Sequence, residues 1–200
     1  MRIRTEYDLI CFYVRTSQCS WTKGNNMSDG NNATPVGYTS VAPWVVTDDT
    51  GAFLDFVADV FGGEELARVA TADGSIGHGE IRVGDTVVLA FDRRAEWPIM
   101  PSLLRVFVRD ADETFKKSAA AGAVVVTELS DNAFGQRGGR IKDPFGDIWW
   151  VTAHVEDVPE DVMWKRLQEP AYAEQMRVAQ ATLDAELSGL TQGRSSAPLP

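Results

Sequence analysis

The chain has 200 residues, of which 44% are hydrophobic, and a formal net charge of −10. That length suits one domain, or two small ones, with a real core. The charge excludes sequence-independent nucleic-acid binding, which needs clustered Lys and Arg against phosphate, and no apolar run approaches the ~20 residues of a membrane span.

The first 37 residues read as a flexible leader. Residues 16–37 are rich in Ser, Thr, Asn and Gly and bury too little apolar surface to offset their ordering entropy. Cys11 and Cys19, the only cysteines, do not make a disulfide framework. Met27 is a candidate start, and the run Leu9 to Val14 is too short for a secretory signal, so a cytoplasmic location is expected.

The foldlike region begins at Tyr38. Residues 41–46 predict a strand, with Pro43 marking it as an edge or irregular. Thr47-Asp48-Asp49-Thr50 supplies N-cap side chains. Phe53, Leu54, Val57, Val60 and Phe61 follow at helical spacing, and Gly62-Gly63 stops the helix. Strands are predicted over 65–71, 76–83 and 86–91, with a tight hairpin at Gly84-Asp85.

Residues 93–101 form a linker, and the pattern then repeats. A strand over 103–108 leads through Asp110-Ala111-Asp112 into a helix to Ala121. Strands follow over 124–128, 138–142 and 148–152, the last two joined by Asp143-Pro144-Phe145-Gly146-Asp147. The expected fold class is α+β: two tandem βαβββ modules (about 38–92 and 102–154) within a domain over 38–158. A helical extension over 159–189, broken at Glu169-Pro170, and a tail over 190–200 complete the chain.

Asp48 leading the helix to Phe61-Gly62-Gly63, with Asp73-Gly74 and His78-Gly79-Glu80-Ile81-Arg82-Val83-Gly84-Asp85, resembles the vicinal-oxygen-chelate superfamily. This is the glyoxalase, bleomycin-resistance and extradiol-dioxygenase group, and the match is to its PhnB-like branch. Phe134-Gly135-Gln136-Arg137, Asp143-Pro144-Phe145-Gly146, Trp149 and Thr152-Ala153-His154 match the same branch. The resemblance implies sheets curved into a half-barrel around a cavity, a homodimer and, often, a divalent metal. The family's ligand positions fall here at Val41, Leu103 and Trp150, and the strand over 86–91 holds no His, Asp or Glu. Apolar side chains hold no such cation, so no metal site and no cofactor are expected.

Strand alternation puts Leu103, Arg105 and Phe107 on one side of their strand, and Trp150, Thr152 and His154 on one side of theirs. The expected concave face offers Leu103, Arg105, Phe107 and Trp150, with His78 and Glu80 nearby and Trp97 and Phe134 on its rim. Arg105 needs a partner in Glu80, Glu128 or a ligand, and Arg137 and Arg140 flank Gly138-Gly139 as ligand or loop contacts. His78 with Glu80 is either an acid/base pair or a solvated strand face. Trp150 is either a cavity wall or simply core.

Three functions compete. The preferred one is a metal-free binding protein for a small hydrophobic, aromatic or drug-like molecule. The second is a metal-dependent lyase, isomerase or dioxygenase with a relocated metal near His78, Glu80 or His154. The third is a partner protein that uses the C-terminal helices as its interface.

Overall fold

A computed structural model describes residues 34–192, with side chains to Gly189. Residues 1–33 of the leader, with its two cysteines and Met27, and the tail from residue 193 lie outside the described residues. In chain order the elements are β1 (Trp44–Thr47), α1 (Thr50–Phe61), β2 (Glu64–Ala70), β3 (Ile76–Val83), β4 (Thr86–Asp92) and β5 (Leu103–Val108). Then come α2 (Ala111–Ala120), β6 (Val124–Asp131), β7 (Gln136–Lys142), β8 (Ile148–His154), α3 (Glu160–Arg166) and α4 (Pro170–Gln192).

The strands form two four-stranded sheets, ordered β1-β4-β3-β2 and β5-β8-β7-β6, which do not close into a barrel. Each opens with a parallel pair, β1 on β4 and β5 on β8, and continues antiparallel. The same order offset by four strands is the βαβββ repeat expected from the sequence.

The capping chemistry places both helices. Asp49 accepts from Ala52 N at 2.9 Å to start α1, and Asp110 accepts from Glu113 N at 2.9 Å to start α2. Gly62, at φ 69°, ends α1 in the left-handed region where an L side chain is strained. Phe53, Leu54 and Val57 of α1 are fully buried, each stabilising the fold by ~1.5–3 kcal/mol through burial.

One core joins the two modules. Val45, Ile81, Val88 and Ala90 of the first sheet cluster with Val106, Ile141, Trp149 and Val151 of the second, around α1 and α2. Phe61 lies 4.7 Å, and Phe53 6.4 Å, from Trp149 between ring centroids. The helices thus lie between the sheets, and the other face of each sheet looks away from the core.

Among the boundaries that differ from expectation, three stand out. β1 starts at Trp44, not at 41, because Pro43 has no N–H to give the sheet; its carbonyl instead accepts from Leu89 N at 2.9 Å. β6 runs on to Asp131 through two register shifts, Val125/Thr127 and Thr127/Ser130, which no local signal announces. α4 continues through Gly189 to Gln192, since glycine within a helix costs only ~1 kcal/mol.

Candidate functional site

The outward faces follow from strand alternation, and the nominated residues divide between them. On the second sheet, Arg105, Trp150 and Arg140 are in register across β5, β8 and β7. Trp150 stands between the two guanidinium groups, with Arg105 Cζ 4.4 Å and Arg140 Cζ 4.7 Å from its ring centroid. Arg105 also lies 4.7 Å from the Phe107 ring and donates to Gln136 Oε1 at 2.6 Å. Leu103 and Phe107 are 58% and 61% exposed. Thr152, in register with Phe107 and Gly138, is buried, and its hydroxyl has no partner among the described residues.

His78 and Glu80 are not near this group. They stand on the outward face of the first sheet, among Trp44, Phe91 and Trp97. His78 Nε2 is 2.7 Å from Glu80 Oε1, and Tyr38 donates its hydroxyl to Glu80 Oε2 at 2.6 Å. Burial first, and then the bond to Glu80, push the Tyr38 phenol up to about 12. Trp44 packs edge-on to His78 at 6.1 Å and to Phe91 at 5.2 Å, and Phe91 meets Trp97 at 5.9 Å. Trp97 therefore belongs with the first sheet rather than to the rim of the Trp150 face.

Other nominations are placed by what they touch. Arg137 points to the opposite side of β7, toward α2, where Asp112 accepts from its Nε and Nη2 at 2.7 and 2.8 Å. Asp131 is also within 3.3 Å of it, so its charge is already matched. The partner of Arg105 is Gln136, neither Glu80 nor Glu128. His154 is exposed beside Asp157 at 3.0 Å. Phe134 is 43% exposed in the loop between β6 and β7. Val41 is 81% exposed and precedes β1, so it is no strand position at all.

α4 covers part of the second sheet's outward face. Arg140 donates to the Ala179 carbonyl at 2.7 Å and to Thr127 Oγ1 at 3.3 Å. Thr127 and Thr182 share a 2.6 Å hydroxyl contact, and Lys142 pairs with Glu186 at 2.6 Å. Between β6 and α4 is a cleft of about 250 Å³ bordered by Val125, Thr127, Leu129, Gln175 and Val178. It is smaller than a usual ligand pocket.

Sequence reasoning did not nominate Trp44, Phe91 or Tyr38. Alternation against the core residues Val45 and Ala90 was the available signal for the first two. Tyr38 reaches Glu80 from a loop, and no pattern in the sequence announces that contact.

A divalent metal of the kind the fold implies needs three or more oxygen, nitrogen or sulfur ligands together. Among the described residues, no three His, Cys, Asp or Glu side chains cluster in that way. Nor is any described helix long and apolar enough to cross a membrane.

The model of the Glyoxalase/Bleomycin resistance protein/Dioxygenase superfamily matches residues 37–151. An uncharacterised protein of Mycobacterium tuberculosis strain H37Rv is 34% identical over 133 residues, spanning 61% of this chain and 78% of that protein. A Mycobacterium bovis relative has the same identity over 88% of its length. Among solved structures, TioX from Micromonospora sp. ML1 is 28% identical with a TM-score of 0.50, covering 58% of this chain and 99% of TioX. A Pseudomonas aeruginosa protein, 21% identical with a TM-score of 0.51, shares the fold over 58% of this chain and 98% of its own.

Proposed function

Starting from a chain that belongs to the glyoxalase/bleomycin resistance protein/dioxygenase superfamily, we propose that it is a metal-free binding protein for small aromatic molecules. The observation that carries this reading is the outward face of the second sheet. There Leu103 and Phe107 are largely exposed beside the Arg105–Trp150–Arg140 stack. Exposed aromatic and aliphatic side chains around a few polar anchors suit a planar organic ligand. Apolar side chains at the family's ligand positions, Val41, Leu103 and Trp150, support binding without a metal. The motifs His78 to Asp85 and Phe134 to His154 favour the PhnB-like branch within the family.

The bound form in this reading is a homodimer. Trp44 is 51% exposed on the first sheet, as Leu103 and Phe107 are on the second. Bare apolar faces of this kind mark interaction surfaces. A second copy that brings its first-sheet face against the second-sheet face would wall in a cavity. Titration of the full chain with a panel of planar aromatics, read by tryptophan fluorescence and light scattering, tests both parts. Quenching by at least one compound, from a particle of twice the chain mass, is expected. No response to any compound removes the binding reading, and a monomer removes the dimer.

A second reading rests on the Tyr38–Glu80–His78 chain. A carboxylate that orients an imidazole is a proton-transfer device. An enzyme using it would lose turnover on His78→Gln without losing ligand affinity.

A further inference from the structure

The charges on the Trp150 face are unbalanced. Arg68, Arg82, Arg93 and Arg137 each pair with a carboxylate. Arg105 and Arg140 have none among the described residues. Arg140 is 7% exposed and, among the described residues, is satisfied only by a threonine hydroxyl, a helix carbonyl and the Trp150 ring. A buried guanidinium without a counter-charge is costly unless something matches it. Burial lowers the proton affinity of both guanidinium groups, the direction expected for unmatched cations.

Arg105 is the accessible member. Its guanidinium carbon lies over both the Phe107 and Trp150 rings, and one of its five N–H donors is used, on Gln136. A planar fork fixed in this way, with free donors, matches an oxyanion in bidentate geometry. Arg140, behind the Trp150 ring, adds positive potential without needing contact. This arises in a chain with a net charge of −10, so the local sign opposes that of the whole.

We propose that the second-sheet face takes an anionic ligand: an aromatic molecule bearing a carboxylate or phosphate, whose oxygens bind Arg105 while its ring lies against Phe107 and Leu103. This rests on the aromatic-binding reading above and adds the ligand's charge. The oxyanion displaces water from the guanidinium edge, and Gln136 holds the far side of the fork in place.

Calorimetry on the full chain tests this with 2-naphthoate, 2-naphthyl phosphate, neutral 2-naphthamide, acetate and inorganic phosphate. The charged naphthyl probes should bind at least about tenfold tighter than the amide, with affinity falling as salt rises. Arg105→Gln, at an exposed position, should erase that preference, bringing the charged naphthyl probes to the amide's affinity in the same variant. Either order between naphthoate and naphthyl phosphate supports the site and identifies its oxyanion. Equal binding of amide and naphthoate overturns the charge and leaves the aromatic reading standing. Acetate or phosphate binding as tightly as the naphthyl probes, with loss in Arg105→Gln, supports the anion site and overturns the aromatic reading. No binding by any probe overturns both. A charge preference that survives Arg105→Gln overturns the assignment to this face.

Discussion

The indole Nε1 of Trp149 donates to Oδ2 of Asp143 across 2.9 Å, inside the turn that links β7 to β8. Asp143 and Asp147 are 3% and 2% exposed. Oδ1 of Asp143 accepts from the Phe145 and Asp147 amides, while Oδ2 of Asp147 has no partner among the described residues. Burial, with the charge of Asp147 adding to it, pushes the Asp143 carboxyl up from 3.8 to about 6.

A pH dependence of stability follows. Because the folded-state value is raised, the folded protein holds this proton more tightly than the unfolded chain does. The contribution is fully present below about 4 and is lost as pH rises through about 6. The full shift corresponds to ~3 kcal/mol. Urea titrations of the wild type and Asp143→Asn between pH 4 and 7 should show the wild type losing stability relative to the variant as pH rises. A pH-independent difference would show that Asp143 titrates normally.

The Tyr38 phenol should respond to Glu80. Glu80→Gln removes the negative charge and weakens the hydrogen bond to a neutral acceptor, and the phenol falls from about 12 toward 10. Alkaline absorbance titration, compared with Tyr38→Phe to identify the signal, reads this directly. An unshifted phenol in Glu80→Gln would leave burial as its sole cause.

Gly135, at φ +73°, receives the Val155 and Glu156 amides on its carbonyl, and an added Cβ would collide with the Glu156 backbone oxygen. Gly135→Ala should cost about 2 kcal/mol or more, from backbone strain plus displacement of the segment after β8. Gly74, at φ +90° with open space around it, is the control. Gly74→Ala should cost only ~1 kcal/mol, from strain alone. Equal losses in denaturant midpoint would remove the packing part of the argument.

The repeat was readable because Asp49, Asp110, Gly62 and the hairpin at Gly84-Asp85 are local devices whose effects do not depend on distant packing. The face of each β5 residue was readable for the same reason, since alternation is a property of any extended strand. What alternation does not carry is which way a whole sheet turns. Trp150 and His78 both point outward, yet they stand on different sheets, because the α1–Trp149 contact sets the modules back to back. The pairing of Arg137 with Asp112 and the seat of α4 on Arg140 are long-range contacts as well.

α4 has no fully buried described side chain, and Arg140, Thr127 and Lys142 attach it to the sheet through polar contacts. Amide exchange over residues 170–189 should therefore be faster than over β7 and β8. Glu186→Gln, which removes a partly exposed ion pair, should accelerate it further, by an amount matching no more than ~1 kcal/mol. Protection of α4 equal to that of the sheet would show a helix docked as firmly as the core.

The back-to-back arrangement divides the chain's freedom to change. Phe53 and Phe61 of one module must keep fitting Trp149 of the other, so inward positions in the two halves are bound to vary together. The outward faces meet no such demand from each other. A duplicated motif built in this way lets its copies drift toward unlike chemistries, a hydrogen-bonded Tyr–Glu–His on one side and paired guanidinium groups on the other, while the scaffold stays fixed.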